Sequence, residues 1–155
     1  MGLTLAALED LYRRRYRDFL RVALALLGDR DRAHDAVQET FARAIRARFG
    51  FRGEGTPEAW LWQMLSNYCV DQARRRTPEP EESARGNGYP AEYPEVRAAL
   101  AALPERQRLV VFLRHYADLD YETIAEAAGI ARGTVAATLH AGHEALRQSL
   151  REVPQ

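Results

Sequence analysis

Lysine is absent from this sequence: all 22 of its basic residues are arginine. Arginine makes the better bidentate contacts to phosphates and base edges, yet a GC-rich coding sequence gives the same bias, so the absence selects no partner. Cysteine is almost absent too. Cys69 stands alone, which excludes an internal disulfide and fits a reducing compartment such as the cytoplasm. No C-x-x-C or spaced His/Cys cluster offers zinc a ligand set, so no metal and no other cofactor is expected. No apolar run approaches the ~18 residues that span a bilayer, and no cleavable signal pattern opens the chain, so no membrane insertion is expected. Strand-like alternation and internal repeats are also missing.

What remains is ordinary for a globular protein. The 155 residues are 46% hydrophobic and 28% charged, which suits one domain or two small ones. Net charge is zero but unevenly spread. Residues 1–76 carry 14 arginines against 10 acids, residues 77–94 carry 1 against 4, and residues 95–155 carry 7 against 8. The basic half is the N-terminal one.

Helical periodicity organises that half. Leu5, Leu8, Tyr12, Tyr16, Phe19, Ala23 and Leu26 recur at steps of three and four and predict a first helix, stopped at Gly28. Asp29 or Asp31 can cap a second, with Ala33, Val37, Phe41, Ala44 and Ile45 inward and Asp35, Gln38 and Glu39 outward. Gly50, Gly53 and Gly55 predict a loop. Thr56-Pro57-Glu58 restarts a helix with a cap, a first-turn proline and a first-turn acid. Trp60, Leu61, Met64, Leu65 and Tyr68 form the buried stripe predicted for this third helix.

Residues 77–94 hold four prolines, two glycines and four acids with almost no aliphatic side chains, the composition of a flexible linker. Short helices are expected beyond it at 95–103, 105–116 and 121–127, with a last one at about 132–151. Ile124-Ala125 through Gly129-Ile130 to Val135 carries the marks of a helix-turn-helix. A small residue lets two helices approach, a glycine makes the turn, and two aliphatics pin the second helix. The expected fold is all-α: a three-helix domain over 1–76, a linker over 77–94 and a helix-turn-helix domain over 95–155.

Three motifs carry functional weight. Asp35-x-x-Gln38-Glu39-x-Phe41 puts acids and an amide on one helix face. Phe51-Arg52-Gly53-Glu54-Gly55 is a Gly-hinged loop bearing an aromatic and an arginine. Trp60 through Gln63, Asn67 and Asp71 to Arg74-Arg75-Arg76 is an aromatic helix with a basic end. Opening a duplex costs stacking energy, and aromatic rings or guanidinium planes return about 1–3 kcal/mol per captured base. Phe51, Trp60, Trp62 and Tyr68 are available for that, with Trp60 and Tyr68 expected to be mainly structural.

In this order the motifs resemble the sigma-70 family of bacterial sigma factors, in its small extracytoplasmic-function form. The resemblance implies core-polymerase binding at the clamp through Asp35, Gln38, Glu39 and Phe41. It implies melting and reading of the −10 element through Phe51, Arg52, Gly53, Glu54, Trp60, Gln63, Asn67, Asp71, Arg74, Arg75 and Arg76. Leu103-Pro104-Glu105-Arg106, Tyr121-Glu122-Thr123-Ile124-Ala125 and Gly133-Thr134-Val135 resemble the −35-reading domain, which also meets the polymerase flap. Regulation by an anti-sigma factor is common in the family, and no catalysis is expected.

The last helix departs from the pattern. After Gly133-Thr134-Val135 the family shows basic and serine side chains, whereas this chain has Ala136-Ala137-Thr138-Leu139-His140-Ala141-Gly142-His143. Methyl groups neither hydrogen-bond base edges nor neutralise phosphates. Arg132, Thr134, Thr138, His140 and His143 are the remaining −35 candidates, and weak or absent −35 reading is expected. A second reading is therefore a sigma-like mimic that binds a regulator rather than promoters. His34, where the family places an acid, and the lone Cys69 have bland readings, surface and core respectively.

Overall fold

The computed structural model describes residues 2–75 and 93–152, within which seven helices and no strand are found. Arg76 and nearly all of the expected linker lie outside the described residues. Helices α1 (Leu5–Leu27), α2 (Arg30–Ala47) and α3 (Pro57–Arg75) form one bundle; α4 (Pro94–Ala101), α5 (Glu105–His115), α6 (Tyr121–Ala128) and α7 (Arg132–Arg151) form the other.

Local chemistry fixes the ends of the first three helices. Thr4 Oγ1 accepts from the Ala7 N–H at 3.1 Å. Gly28 takes the left-handed conformation at φ 70° and donates to Leu24 O at 2.8 Å, a conformation glycine adopts without a Cβ penalty. Of the two candidate caps for α2, Asp29 is the one used; its carboxylate accepts from Arg32 N at 3.0 Å. Thr56 Oγ1 caps α3 through Ala59 N at 3.0 Å, with Pro57 in the first turn.

The first core is aromatic at its centre. The Phe19 and Trp62 rings lie 4.1 Å apart at 33°, and Phe41 meets Phe19 edge-on at 5.5 Å. Trp62 is fully buried, which removes it from the aromatics available to a base. The buried row of α3 is Ala59, Leu61, Trp62, Leu65, Ser66 and Cys69, rotated from the expected stripe, and Trp60, Met64 and Tyr68 are only half-buried. Helix α3 touches α1, α2 and α6 together, so it is apolar around most of its girth and periodicity alone does not select its inner face.

In the second bundle α4 begins at Pro94, inside the expected linker, and ends at Ala101. Asp120 caps α6 by accepting from Thr123 N at 2.8 Å, and Gly129 closes it at φ 68°. Phe112, Leu113, Ile124 and Val135 are fully buried. Gly142 has a packing role: a Cβ there would sit 2.9 Å from Val111 Cγ2, so glycine sets how closely α7 approaches α5.

The two bundles touch along α3–α6 and α1–α5. Arg15 donates to Ala117 O at 3.2 Å while pairing with Asp18 and Glu58 at 2.9 and 2.7 Å. Arg74 reaches Glu105 with both ends of its fork.

Candidate functional site

Helix α2 separates structural from free side chains. Ala33, Ala36, Val37, Thr40 and Ala44 are buried, leaving Asp35 and Gln38 in solvent and Glu39 partly so. Gln38 Nε2 donates to the Tyr12 hydroxyl at 3.0 Å, so the amide is held in place. Glu39 accepts from Arg43 Nε at 2.9 Å and from Arg46 at 3.4 Å. The Arg43 hydrogen bond holds its carboxyl below the usual carboxylate range. Phe41 lines a groove beside Gln38 and Tyr12, with most of its ring inward. It is 6% exposed, edge-on to Tyr12 and Phe19, and anchors the helix from inside.

A 3₁₀ turn at Arg48–Gly50 leads into the glycine loop. Gly53 and Gly55 adopt φ 78° and 74°, left-handed values that fold the loop back on itself and leave Arg52 and Glu54 exposed. Half-buried Phe51 lies 5.5 Å from half-buried Trp60, so the start of the loop packs against the first turn of α3. Gln63, Asn67, Asp71 and Arg74 follow at steps of four, four and three, which makes them one exposed row along α3. Arg75 pairs with Asp71 at 3.3 Å. The glycine loop precedes α3 and this row runs along it, so both sets of exposed polar groups are presented by one helix and the loop that leads into it.

Phe49 escaped the sequence reading. It is 74% exposed, beside the glycine loop, with the Arg48 guanidinium 4.3 Å from its ring centroid. A signal was present: an aromatic off the apolar stripe of α2, flanked by arginine and glycine. Cys69 is fully buried, and burial pushes its thiol up to about 12, so no thiolate forms there near neutral pH. His34 is exposed, with Nδ1 3.3 Å from the Tyr16 hydroxyl.

On α7, Arg132, Thr134 and His140 are exposed along with Ala136 and Ala137. Thr138 spends its hydroxyl proton on its own helix, donating to Thr134 O at 2.7 Å. His143 turns to α5, where its Nε2 lies 2.9 Å from that of His115. The candidate −35 readers thus share one helix, but not all of them face outward.

Known proteins match both bundles. Residues 11–79 match the family model for Sigma-70 region 2, and residues 94–146 match that for Sigma-70 region 4. The chain is 32% identical to the ECF RNA polymerase sigma factor SigL of Mycobacterium tuberculosis, over 96% of this chain and 91% of that protein. It is 35% identical to EcfG of Rhodopseudomonas palustris over 73% and 68%, and 32% identical to SigE of Mycolicibacterium smegmatis, of whose length it spans 61%. Among solved structures, CnrH in complex with the cytosolic domain of CnrY superposes with a TM-score of 0.79 over 97% of this chain and 92% of that one, at 22% identity. The sigma factor RpoE of Bartonella quintana, in complex with the anti-sigma factor NepR, superposes with a TM-score of 0.67 over 94% and 99%, at 25% identity. The two bundles, their helix-turn-helix and these matches place the chain in the sigma-70 family, among the extracytoplasmic-function sigma factors.

Proposed function

We propose that this chain works as a promoter-specificity subunit of bacterial RNA polymerase, acting by binding rather than catalysis and in the cytoplasm where the polymerase is. The α2 face of Asp35, Gln38 and Glu39 docks on the clamp, with Phe41 holding that face in register from below. The edge formed by Phe51–Gly55 and by Gln63, Asn67, Asp71, Arg74 and Arg75 receives opened −10 DNA and Trp60 supports it; Arg76, next in sequence, supplies a further arginine. Exposed Phe49 beside the loop adds a ring on which an unpaired base can stack. The observation that carries this reading is the exposed polar row of α3 with the exposed glycine loop leading into it, since a loop that can hold a flipped base next to groups that can track a phosphate backbone suits opened DNA.

Run-off transcription with core polymerase tests it: the chain should direct initiation, and crosslinks from the melted strand should land on residues 49–55 and 63–75. Failure to bind core polymerase at micromolar concentration would refute it.

The α7 face supports a narrower assignment for the C-terminal bundle. With Ala136 and Ala137 outward and Thr138 bonded to its own backbone, only Arg132, Thr134 and His140 offer polar contacts to a groove. This bundle contributes little −35 sequence reading and serves docking, on the polymerase flap or on a regulator of the anti-sigma kind. Footprinting of the holoenzyme should show −35 protection that is insensitive to Arg132→Ala; strong, sequence-dependent protection that this substitution abolishes would overturn the assignment. The same α7 face favours the second reading, a sigma-like mimic that titrates a regulator. That reading predicts regulator capture without promoter-dependent transcription.

A further inference from the structure

Two imidazoles meet across the C-terminal bundle. His115 ends α5 and His143 lies on α7, 28 residues further along the chain, with their Nε2 atoms 2.9 Å apart. The ring centroids are 5.1 Å apart, so the two nitrogens point at one another. Helix packing puts them there. Gly142 adjoins His143, and a Cβ on it would sit 2.9 Å from Cγ2 of Val111, one helical turn before His115. Lack of that Cβ lets α7 close on α5. His115 is exposed and His143 half-buried, so solvent reaches the pair.

We propose that His115 and His143 form a binding site for a divalent late transition-metal ion, which ties the second helix of the helix-turn-helix to the helix before it. Neutral imidazole nitrogen is the commonest protein ligand for such ions and suits zinc, copper and nickel. Two bonds of about 2.0–2.1 Å from one ion hold their nitrogens about 2.9 Å apart at a right angle and about 3.3 Å apart in a tetrahedron. The pair stands at the short end of that range. As the rings stand, one Nε2–H donates to the other Nε2. Binding moves that proton to Nδ1 of the same ring and turns exposed His115 until both lone pairs converge, with water completing the shell. Among the described residues no group of three or more His, Cys, Asp or Glu side chains is placed to hold an ion. The site is therefore a two-residue clip, unlike a structural zinc centre closed by four protein ligands. The clip spans α6 and the turn at Gly129. Closing that loop restricts the unfolded chain, so the bundle gains stability as the ion concentration rises. His143 thereby acquires a role that its turn towards α5 denies it as a −35 reader. The clip stands independently of the promoter reading.

The test uses the full chain as wild type, His115→Gln, His143→Gln, His140→Gln and His34→Gln, which together cover all four histidines. Glutamine keeps a polar side chain but offers no imidazole nitrogen. Each protein is titrated with Cu2+ and read by electron paramagnetic resonance. Its melting temperature is recorded without metal, with Zn2+, and again after EDTA. Wild type should bind copper through two nitrogen ligands and melt higher with Zn2+, a rise that EDTA reverses. His115→Gln and His143→Gln should each lose about tenfold or more in affinity together with the zinc-dependent rise, while His34→Gln and His140→Gln keep both. The wild-type nitrogen count decides the case should a variant fail to fold. Wild-type affinity in both His115→Gln and His143→Gln, or a single nitrogen on copper in wild type, would overturn the clip. So would loss in His140→Gln with His115→Gln unaffected, which places the ion on α7 alone.

Discussion

Phe19 of α1 and Trp62 of α3 stack with ring centroids 4.1 Å apart, both without solvent exposure. This contact joins the helix that carries the proposed DNA edge to the longest helix of the bundle. Trp62→Ala should cost about 3–5 kcal/mol of unfolding free energy, read by urea denaturation. A loss below about 1 kcal/mol would mean that the tryptophan is not the centre of the core.

Glu39 and Phe41 are two residues apart and should fail differently. On the proposed clamp assignment, Glu39→Ala should leave a folded chain that pulls down less core polymerase, because the side chain is partly exposed and pairs with Arg43 and Arg46 of its own helix. Phe41→Ala should lower stability by about 3–5 kcal/mol and lose polymerase only as a consequence of unfolding. Thermal melts beside pull-downs separate the two cases.

Two glycines of α7 should respond oppositely to alanine. Gly133 has open space where a Cβ would go, so Gly133→Ala should gain about 0.5–1 kcal/mol from helix propensity. Gly142→Ala collides with Val111 and should destabilise despite the same propensity gain. Denaturant midpoints that move in the same direction for both would contradict the close α5–α7 approach.

The Asp120 cap sets a pH signature for α6. Its hydrogen bonds with Thr123 hold its carboxyl below the ordinary value. A lowered folded-state value means that the cap's contribution is present above the unfolded carboxyl value and is lost as pH falls through the lowered one. Asp120→Ala should therefore cost about 1 kcal/mol at neutral pH and much less in strong acid, measured by denaturation at both.

Helix ends were the most legible part of this chain. Gly28, Thr56-Pro57 and Gly129 announce their roles locally, because a helix end needs only its own residue and the adjoining turn. The inner face of α3 was hidden for the opposite reason. Trp60 and Trp62 are both plausible inward residues on a helix that three partners surround, and only the position of Phe19 decides between them. Gly142 was hidden in the same way, since a propensity cost is visible in sequence and a methyl group on a neighbouring helix is not. The candidate edge was legible as a set of motifs, while the pairing of Glu105 with Arg74 depends on a contact across 31 residues and the approach of Glu126 to Gly55 on one across still more chain. Phe49 was passed over because it follows no stripe.

Cys69 lies sealed between the bundle's helices with its thiol held in the protonated form, which makes it a native gauge of breathing motions. Alkylating reagents should modify it only as fast as α3 comes away from its neighbours, so the rate of label uptake would report that event in the unaltered chain, with no engineered probe.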